Sequence, residues 1–215
     1  MTEMSPLGST AVMTSKIQKS PKEEQYDYMM KQGLPAPFVE IRGSNEEGFI
    51  PWDGKTMVEL EVRGPWVAAS YYRDPEAKEK FTPDGWLRTG DIVTIDDDGC
   101  IAIRDRSKDV IKSGGEWISS IALENTLMEH PSVSEAAVIA VPDNKWIERP
   151  FAYIVPKEGK AVSPGELKEF LSGKFAKFWV PEEYAIINAI PKTSVGKFMK
   201  SALRDLYEKE HSTSS

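Results

Sequence analysis

The stretch Asp105-Arg106-Ser107-Lys108-Asp109-Val110-Ile111-Lys112-Ser113-Gly114-Gly115-Glu116-Trp117 marks a change in the pattern of the sequence. Before it, short segments that alternate polar and apolar residues, such as Val58–Val62, are separated by turn residues such as Asp84-Gly85. This pattern predicts antiparallel strands. After it, segments with helical spacing lie between predicted strands. We therefore expect an α+β protein, with a small, antiparallel β-rich, distorted barrel-like subdomain at residues 1–105 and an α+β domain at residues 106–215.

Signals for the start of a helix are clear in the second part. Ser119 or Ser120 can cap one helix, and Ser163-Pro164-Gly165-Glu166 is a capping box with proline at the first helical position. The helix after this box is expected to run to about Ala176. Residues 1 to about 30, by contrast, are polar and show little periodicity, so we expect much of this segment to be loose.

Composition excludes several classes of function. The formal net charge of −7 over 215 residues argues against a nucleic-acid partner, because phosphate binding needs a basic surface. The apolar runs are too short for a transmembrane helix, and no signal peptide opens the chain. One cysteine, Cys100, and two histidines leave no internal disulfide framework and no typical zinc site. We expect a cytoplasmic protein.

Two further motifs flank the central stretch. Trp86-Leu87-Arg88-Thr89-Gly90-Asp91 precedes it, and Pro191-Lys192-Thr193-Ser194-Val195-Gly196-Lys197 follows it. In this order the three motifs resemble the closing half of the adenylate-forming enzymes, namely acyl-CoA synthetases, luciferases and peptide-synthetase adenylation domains. The sequence of residues 112–120, Lys-Ser-Gly-Gly-Glu-Trp-Ile-Ser-Ser, is most similar to that of the medium- and long-chain fatty acyl-CoA ligases. The resemblance covers nearly the entire chain. It implies a ligase that uses ATP, Mg²⁺ and coenzyme A to activate a fatty acid, with a mobile C-terminal domain.

The first residues extend this resemblance. Met1-Thr2-Glu3-Met4-Ser5-Pro6 resembles a segment that lies deep inside such enzymes. There the threonine contacts phosphate and the glutamate helps to hold Mg²⁺, a cation that favours carboxylate oxygens. The resemblance thus implies nucleotide binding by Thr2 and a metal ligand at Glu3. The family's phosphate loop and most of its acyl pocket lie upstream of this pair, so we expect the chain to be the back portion of a ligase and to be inactive alone.

Asp91 and Lys197 are the residues whose chemistry is most direct. A carboxylate can accept hydrogen bonds from both hydroxyls of a ribose, and Gly90 allows close approach to Asp91. A lysine ammonium can bridge a substrate carboxylate and the α-phosphate as charge develops, which makes Lys197 the catalytic candidate. The resemblance assigns the same roles. The alternatives are a turn or N-cap role for the aspartate and a solvated surface position for the lysine.

The segment between these motifs supplies the predicted hinge. In the family, the arginine at the position of Arg106 lies near the ribose, and the residue two positions later acts as the hinge. The resemblance therefore implies nucleotide binding by Arg106 and Lys108 and makes Lys108 the hinge residue. The alternative for Lys108 is a solvated charge.

The end of the central stretch is expected to meet the adenylate after the domain has rotated. Lys112, Glu116 and Trp117 resemble fatty-ligase residues with this role. Gly114 and Gly115 would let the pantetheine arm of coenzyme A pass close to the backbone. Lys112 could instead be a solvated charge, and Trp117 could pack in a core or a domain interface.

Two other interpretations remain open. The chain could be a non-catalytic folded domain that needs a partner with the front half, or the adenylation domain of a relative that does not use coenzyme A. Expected partners are ATP or AMP, a fatty acid and coenzyme A, together with a second copy of the chain or a separate N-terminal portion.

Overall fold

The chain divides into two units, Met1–Lys108 and Asp109–Ser215. The computed structural model describes residues 1–45, 48–50 and 52–212. The division falls after Lys108, whereas the sequence pattern predicted it after Asp105.

The first unit is built on a five-stranded antiparallel sheet. The helices and strands are β1 Ser9–Thr10, α1 Ser15–Gln18, α2 Lys22–Met29, β2 Leu34–Pro35, β3 Glu40–Asn45, β4 Gly48–Phe49, β5 Val58–Arg63, β6 Leu87–Ile95 and β7 Ile101–Arg106. The described residues of the unit also include the 3-10 helices Thr2–Met4 and Glu76–Lys80. The strand order of the sheet is β4-β3-β5-β6-β7, and a separate short pair joins β1 to β2. Alternate residues of the predicted strand at Val58 point into one core, where Val58, Leu60 and Val62 are buried together with Leu87 and Val93.

The expected α+β class with antiparallel sheets is confirmed, but the barrel-like closure is wrong. Within the described residues the sheet stays open, since the two strands at its ends, β4 and β7, do not pair with each other. The strand at one end, β4, has only two residues. At the other end, the backbone of Gln32 and Gly33 hydrogen-bonds to Ile101 and covers the start of β7.

Residues 1–30, expected to be loose, contain two α-helices, α1 and α2, which contact the β6–β7 turn. Lys31 Nζ lies 2.8 Å from the carboxylate of Asp96, and Lys16 Nζ lies 2.5 Å from that of Asp98. Tyr28 of α2 is buried, and its hydroxyl lies next to the buried thiol of Cys100. Contacts distant in sequence therefore order a segment whose local composition predicts disorder.

The second unit has a central sheet with helices on both faces. The elements are β8 Ile111–Ser113, β9 Glu116–Ile118, α3 Ser120–Met128, β10 Val133–Asp143, β11 Ile147–Pro156, α4 Pro164–Ser172, β12 Glu183–Ile186 and α5 Lys200–Ser212. The strand order is β10-β11-β8-β9, and β12 runs parallel to β11. Because successive side chains of a strand point to opposite faces, Val138 packs with α3 and α4, whereas Ile139 packs with α5.

The predicted caps are present in this unit. Ser119 Oγ accepts a hydrogen bond from the backbone of Ala122 at the start of α3. Ser163 and Glu166 form the reciprocal capping box of α4, with Pro164 in the first turn. The end of α4 was predicted too late, since the helix ends at Ser172. Of the residues that the structure describes, no helix is both long and apolar enough to cross a membrane.

Candidate active site

Asp91 lies on β6, directly opposite Arg106 on β7. Gly90 has φ +70°, a left-handed conformation that favours glycine, and the register between β6 and β7 shifts between Ile92 and Val93. Arg106 Nη1 donates to Asp91 Oδ1 at 2.5 Å, and the backbone N–H of Ser107 donates to the carbonyl of Gly90 at 2.8 Å. The structure thus brings together Asp91 and Arg106, two predicted nucleotide-binding residues.

The threonine of the same motif fixes the backbone that carries Asp91. Thr89 Oγ1 donates to the carbonyl of Leu60 on the neighbouring strand at 2.9 Å and accepts from the backbone N–H of Asp91 at 3.1 Å. Thr89 is buried, and the Asp91 side chain keeps 13% of its surface exposed. A cavity of about 280 Å³ lies beside Asp91, with Met4, Leu60 and Ile101 in its lining. The carboxylate is therefore held in place while it remains accessible.

Thr2 and Glu3 lie in the first 3-10 helix, where Thr2 is exposed. Tyr71 Oη donates to Glu3 Oε1 at 2.7 Å, and this bond lowers the pKa of the Glu3 carboxyl. The same bond raises the pKa of Tyr71 to about 12. Tyr71 also lines a second cavity of about 520 Å³. Sequence reasoning missed Tyr71, because nothing local signals a partner 68 residues away.

Lys108 is exposed in the turn between β7 and β8 and is the last residue of the first unit. The next residue, Asp109, is buried, and its Oδ1 lies 2.6 Å from Arg204 of α5. The predicted hinge residue is thus followed immediately by an anchored residue of the second unit.

Strands β8 and β9 form a tight hairpin that carries five of the predicted residues. Lys112 and Trp117 are paired across it, with Lys112 Nζ 5.7 Å from the centre of the indole ring. The turn residues Gly114 and Gly115 have φ values of +61° and +89°. Glu116 is exposed. The hairpin therefore groups one cation, one carboxylate and one half-buried indole around a glycine turn.

A residue that sequence reasoning missed covers this turn. The backbone carbonyl of Trp146 accepts from Gly114 N–H at 2.9 Å, and a Cβ at Gly114 would lie only 2.7 Å from the Trp146 ring. A Cβ at Gly115 would meet no atom within 4 Å. The only local signal for Trp146 is the preceding turn, in which Asp143 accepts two backbone hydrogen bonds. Gly114 is thus required for packing, and Gly115 leaves its side of the turn open.

Lys197 ends a short loop that is closed on itself. Thr193 N–H donates to the carbonyl of Lys197 at 2.8 Å, and Lys197 N–H donates to Thr193 Oγ1 at 3.1 Å. Gly196 has φ +83° within this turn. Residues 193–197, hereafter the Lys197 loop, therefore present an exposed lysine on a hydrogen-bonded turn.

Two other lysines near the loop are structural. Lys192 forms an ion pair with Glu135 of β10. Lys200, the first residue of α5, lies 2.6 Å from Glu124 Oε1 and 2.7 Å from Ser120 Oγ, with its side chain only 11% exposed.

The predicted site residues fall into two groups. Those of the first unit are Thr2, Glu3, Asp91, Arg106 and Lys108, and those of the second unit are Lys112, Gly114, Gly115, Glu116, Trp117 and Lys197.

Residues 122–197 match the sequence model of the AMP-binding enzyme C-terminal domain. The second unit belongs to this family. The AMP-binding C-terminal domain thus includes the Lys197 loop, and the recognition of the adenylate-forming enzymes from three short motifs is confirmed.

The curated relatives are acyl-CoA ligases. The chain is 47% identical over 211 residues to a long-chain-fatty-acid–CoA ligase of Thermus thermophilus, covering 97% of this chain and 39% of that protein. It is 38% identical over 210 residues to a medium-chain-fatty-acid–CoA ligase of Ectopseudomonas oleovorans, covering 96% and 38%. The chain therefore spans about two fifths of the length of these relatives.

Solved structures of two enzymes also resemble this chain. An O-succinylbenzoate coenzyme A synthetase from Bacillus subtilis, solved in complex with AMP, superposes with a TM-score of 0.77 at 30% identity, covering 95% of this chain and 40% of that one. An ATP-bound enzyme from Rhodopseudomonas palustris gives a TM-score of 0.74 at 31% identity, over 83% of this chain and 36% of its own. Both sequence and fold therefore relate the chain to adenylate-forming enzymes.

Proposed function

We propose that this chain is the C-terminal portion of an ATP-dependent fatty acid–CoA ligase. The observation that carries the proposal is the continuity of the similarity to a long-chain ligase, which extends over 97% of the chain and therefore through both units. In the reaction, a carboxylate oxygen of the acid attacks the α-phosphorus of ATP and pyrophosphate leaves. The thiol of coenzyme A then attacks the acyl carbonyl, the thiol proton is lost and AMP leaves.

Asp91 and Arg106 bind the ribose in this proposal. Arg106 already occupies Oδ1 of the carboxylate, so the ribose hydroxyls donate mainly to the remaining acceptor positions of Asp91. The Thr89 contacts hold the strand in place, which reduces the motion that must be frozen when nucleotide binds. The exposed side chain of Arg106 lies beside this carboxylate and can contact the nucleotide.

Glu3 fits the predicted Mg²⁺ site in one respect, because the Tyr71 hydrogen bond keeps its carboxylate ionised and oriented. Among the described residues there is no group of three or more metal-ligating His, Cys, Asp or Glu side chains. Mg²⁺ in proteins is usually bound by one or two carboxylates and completes its coordination shell with phosphate oxygens and water, so a cluster of three carboxylates is not needed. Bound there, Mg²⁺ would neutralise phosphate charge, while Thr2 contacts a phosphate oxygen.

Lys197 stabilises the adenylating transition state. Its ammonium would lie between the attacking carboxylate and the α-phosphate, where negative charge is shared between two oxygens. The closed turn beneath it fixes the backbone, whereas the lysine side chain stays free to reach.

The β8–β9 hairpin serves the second half-reaction. Gly115 has open space on its Cβ side, which suits a pantetheine arm passing close to the backbone. Lys112, Glu116 and Trp117 would meet the adenylate once the AMP-binding C-terminal domain has turned about Lys108. A homo-oligomer and a cytoplasmic location remain predictions.

The test compares residues 1–215 with the complete ligase that contains them. We expect pyrophosphate release from ATP and fatty acids of several chain lengths only with the complete enzyme, and acyl-CoA only when coenzyme A is added. Turnover by residues 1–215 at ordinary ligase rates would contradict the proposal. Release of pyrophosphate by the complete enzyme with amines, and not coenzyme A, as acceptors would favour a relative that does not use coenzyme A.

A further inference from the structure

Helix α5 carries two cations one turn apart, and each is paired with a carboxylate of a different segment. Lys200 pairs with Glu124 of α3, and Arg204 pairs with Asp109. Residues at positions i and i+4 lie on the same side of a helix, so both cations project from one face of α5. Neither carboxylate belongs to the helix itself.

The first pair fixes the end of the Lys197 loop. Lys200 follows Lys197 by three residues, and its ammonium lies 2.6 Å from Glu124 Oε1 and 2.7 Å from Ser120 Oγ. Glu124 Oε1 also accepts from the backbone of Val138 on β10 at 2.7 Å. Both side chains of the ion pair are nearly buried, which strengthens their attraction. The start of α5 is thereby tied to α3 and to the central sheet.

The second pair fixes the first residue of the second unit. Arg204 Nη2 lies 2.6 Å from Asp109 Oδ1, and the Asp109 side chain is 12% exposed. Asp109 directly follows Lys108, the predicted hinge. One helix therefore anchors both the segment that leaves the hinge and the loop that presents Lys197.

The body of α5 is itself immobilised on the sheet. Leu203 is fully buried, and its carbonyl accepts from the hydroxyl of Tyr153 on β11 at 3.3 Å. Two cations in the first turns of a helix oppose its dipole and repel each other, and the carboxylates of Glu124 and Asp109 offset this cost.

We propose that Lys200 and Arg204 are positioning residues, which make α5 a rigid link between the hinge exit at Asp109 and the Lys197 loop. A small rotation at Lys108 is then transmitted to Lys197 without being absorbed inside the AMP-binding C-terminal domain. This inference rests on the proposed function for its catalytic consequence, but the link itself does not depend on it.

Hydrogen exchange of residues 1–215 tests the link without any activity. Lys200→Met should speed exchange of the amides of residues 193–199 at least tenfold, and Arg204→Gln should do the same for residues 109–111. The amides of residues 203–207 should keep their protection in both variants. Lys174→Gln, which removes the exposed pair between Lys174 and Glu129, is the matched control and should change neither segment.

Because Lys200→Met removes the ammonium that pairs with the buried Glu124, the double variant Glu124→Gln/Lys200→Met is measured beside it. It should fold, and it should still show fast exchange at residues 193–199. Faster exchange throughout the second unit in the double variant and in Arg204→Gln would overturn the inference, since the pairs would then stabilise the fold in general.

Kinetics of the complete ligase test the catalytic consequence. We expect Arg204→Gln and the double variant to lower kcat for adenylation about tenfold, with KM for ATP and for the acid within twofold of wild type. Arg204→Lys and Lys200→Arg, which keep the charge, should recover most of the rate. Unchanged kcat in variants with faster local exchange would overturn the inference. If wild-type enzyme forms no adenylate, the proposed function fails, and the exchange data alone decide whether α5 is the link.

Discussion

Lys197 is the residue on which the proposed chemistry depends most. In the complete enzyme, Lys197→Ala should lower kcat for adenylation by roughly 100- to 1,000-fold, the usual loss when one charge-stabilising group is removed from a transition state. Thioester formation from supplied acyl-adenylate should be affected far less, because the lysine serves only the first half-reaction. The two half-reactions are measured separately by pyrophosphate release and by acyl-CoA formation.

The matched control for this change is Lys192→Ala. Lys192 lies in the same segment, but its ammonium is paired with Glu135. The Lys192→Ala variant should therefore keep an adenylation rate within a few-fold of wild type. Equal losses in both half-reactions for Lys197→Ala would show that this lysine is structural.

The hydrogen bond between Tyr71 and Glu3 gives a prediction about pH. It raises the pKa of Tyr71 to about 12, above its ordinary value of 10.0. A raised pKa means that the bond stabilises the folded state fully below pH 10 and that this contribution is lost as pH rises through about 12. At pH 11 the Tyr71 hydroxyl should therefore still be protonated, as followed by carbon NMR of labelled tyrosine.

Two variants complete this experiment. Tyr71→Phe assigns the resonance by its disappearance. Glu3→Gln removes the negative charge and should return the pKa of Tyr71 toward 10.0. A Tyr71 resonance that titrates near pH 10 in the wild-type chain would show that the bond does not form.

At the scale of elements, the β8–β9 hairpin separates two effects of glycine. Gly115→Ala meets only backbone strain, because φ is +89° and its Cβ has no neighbour within 4 Å. We expect it to lower the free energy of unfolding by about 1–2 kcal/mol. Gly114→Ala adds a clash at 2.7 Å with the Trp146 ring, which should contribute about 1–3 kcal/mol more. Urea unfolding followed by circular dichroism measures both.

Removing the ring tests the cause. In a Trp146→Ala background, Gly114→Ala should cost no more than Gly115→Ala does. If the difference between the two alanine variants survives without Trp146, the clash is not its source.

The elements also show what can be predicted from the sequence. The capping box at Ser163 was predicted to the residue, because the donors and acceptors lie within one turn of the chain. Asp91 and Arg106 were each predicted as nucleotide-binding residues, but the ion pair that joins them across β6 and β7 was not predicted. The helices before Met30 were not predicted, because their contacts are with a distant turn: Tyr28 is buried beside Cys100, and Lys16 and Lys31 pair with Asp98 and Asp96. Contacts between residues far apart in the sequence also explain why Tyr71, Trp146 and the partners of Lys200 were missed.

For the molecule as a whole, the division after Lys108 makes this residue the test of domain rotation. Proline at position 108 fixes φ and removes a backbone donor, so Lys108→Pro should lock or bias the hinge. In the complete enzyme we expect it to spare adenylation largely and to slow thioester formation at least tenfold. Rapid-quench measurements of each half-reaction give the two rates.

Lys108→Ala separates the hinge from the charge. It removes the ammonium but leaves the backbone free to turn, and it should therefore affect both half-reactions only modestly. If alanine and proline change both rates alike, Lys108 contributes as a ligand and rotation occurs elsewhere.

The reaction rate of the single cysteine, Cys100, with a thiol reagent measures how often the first unit opens. Cys100 is buried beside Tyr28, and burial raises the pKa of its thiol, so a thiol reagent can react only after this region opens. The labelling rate of Cys100 should be higher in Lys31→Ala, which removes the pair with Asp96, than in the wild-type chain. In Gly114→Ala it should equal the wild-type rate. Equal rates in both variants would mean that the two units open together. Cys100 has no proposed part in the chemistry, so its reaction with a thiol reagent times the opening of the first unit without a second reporter group.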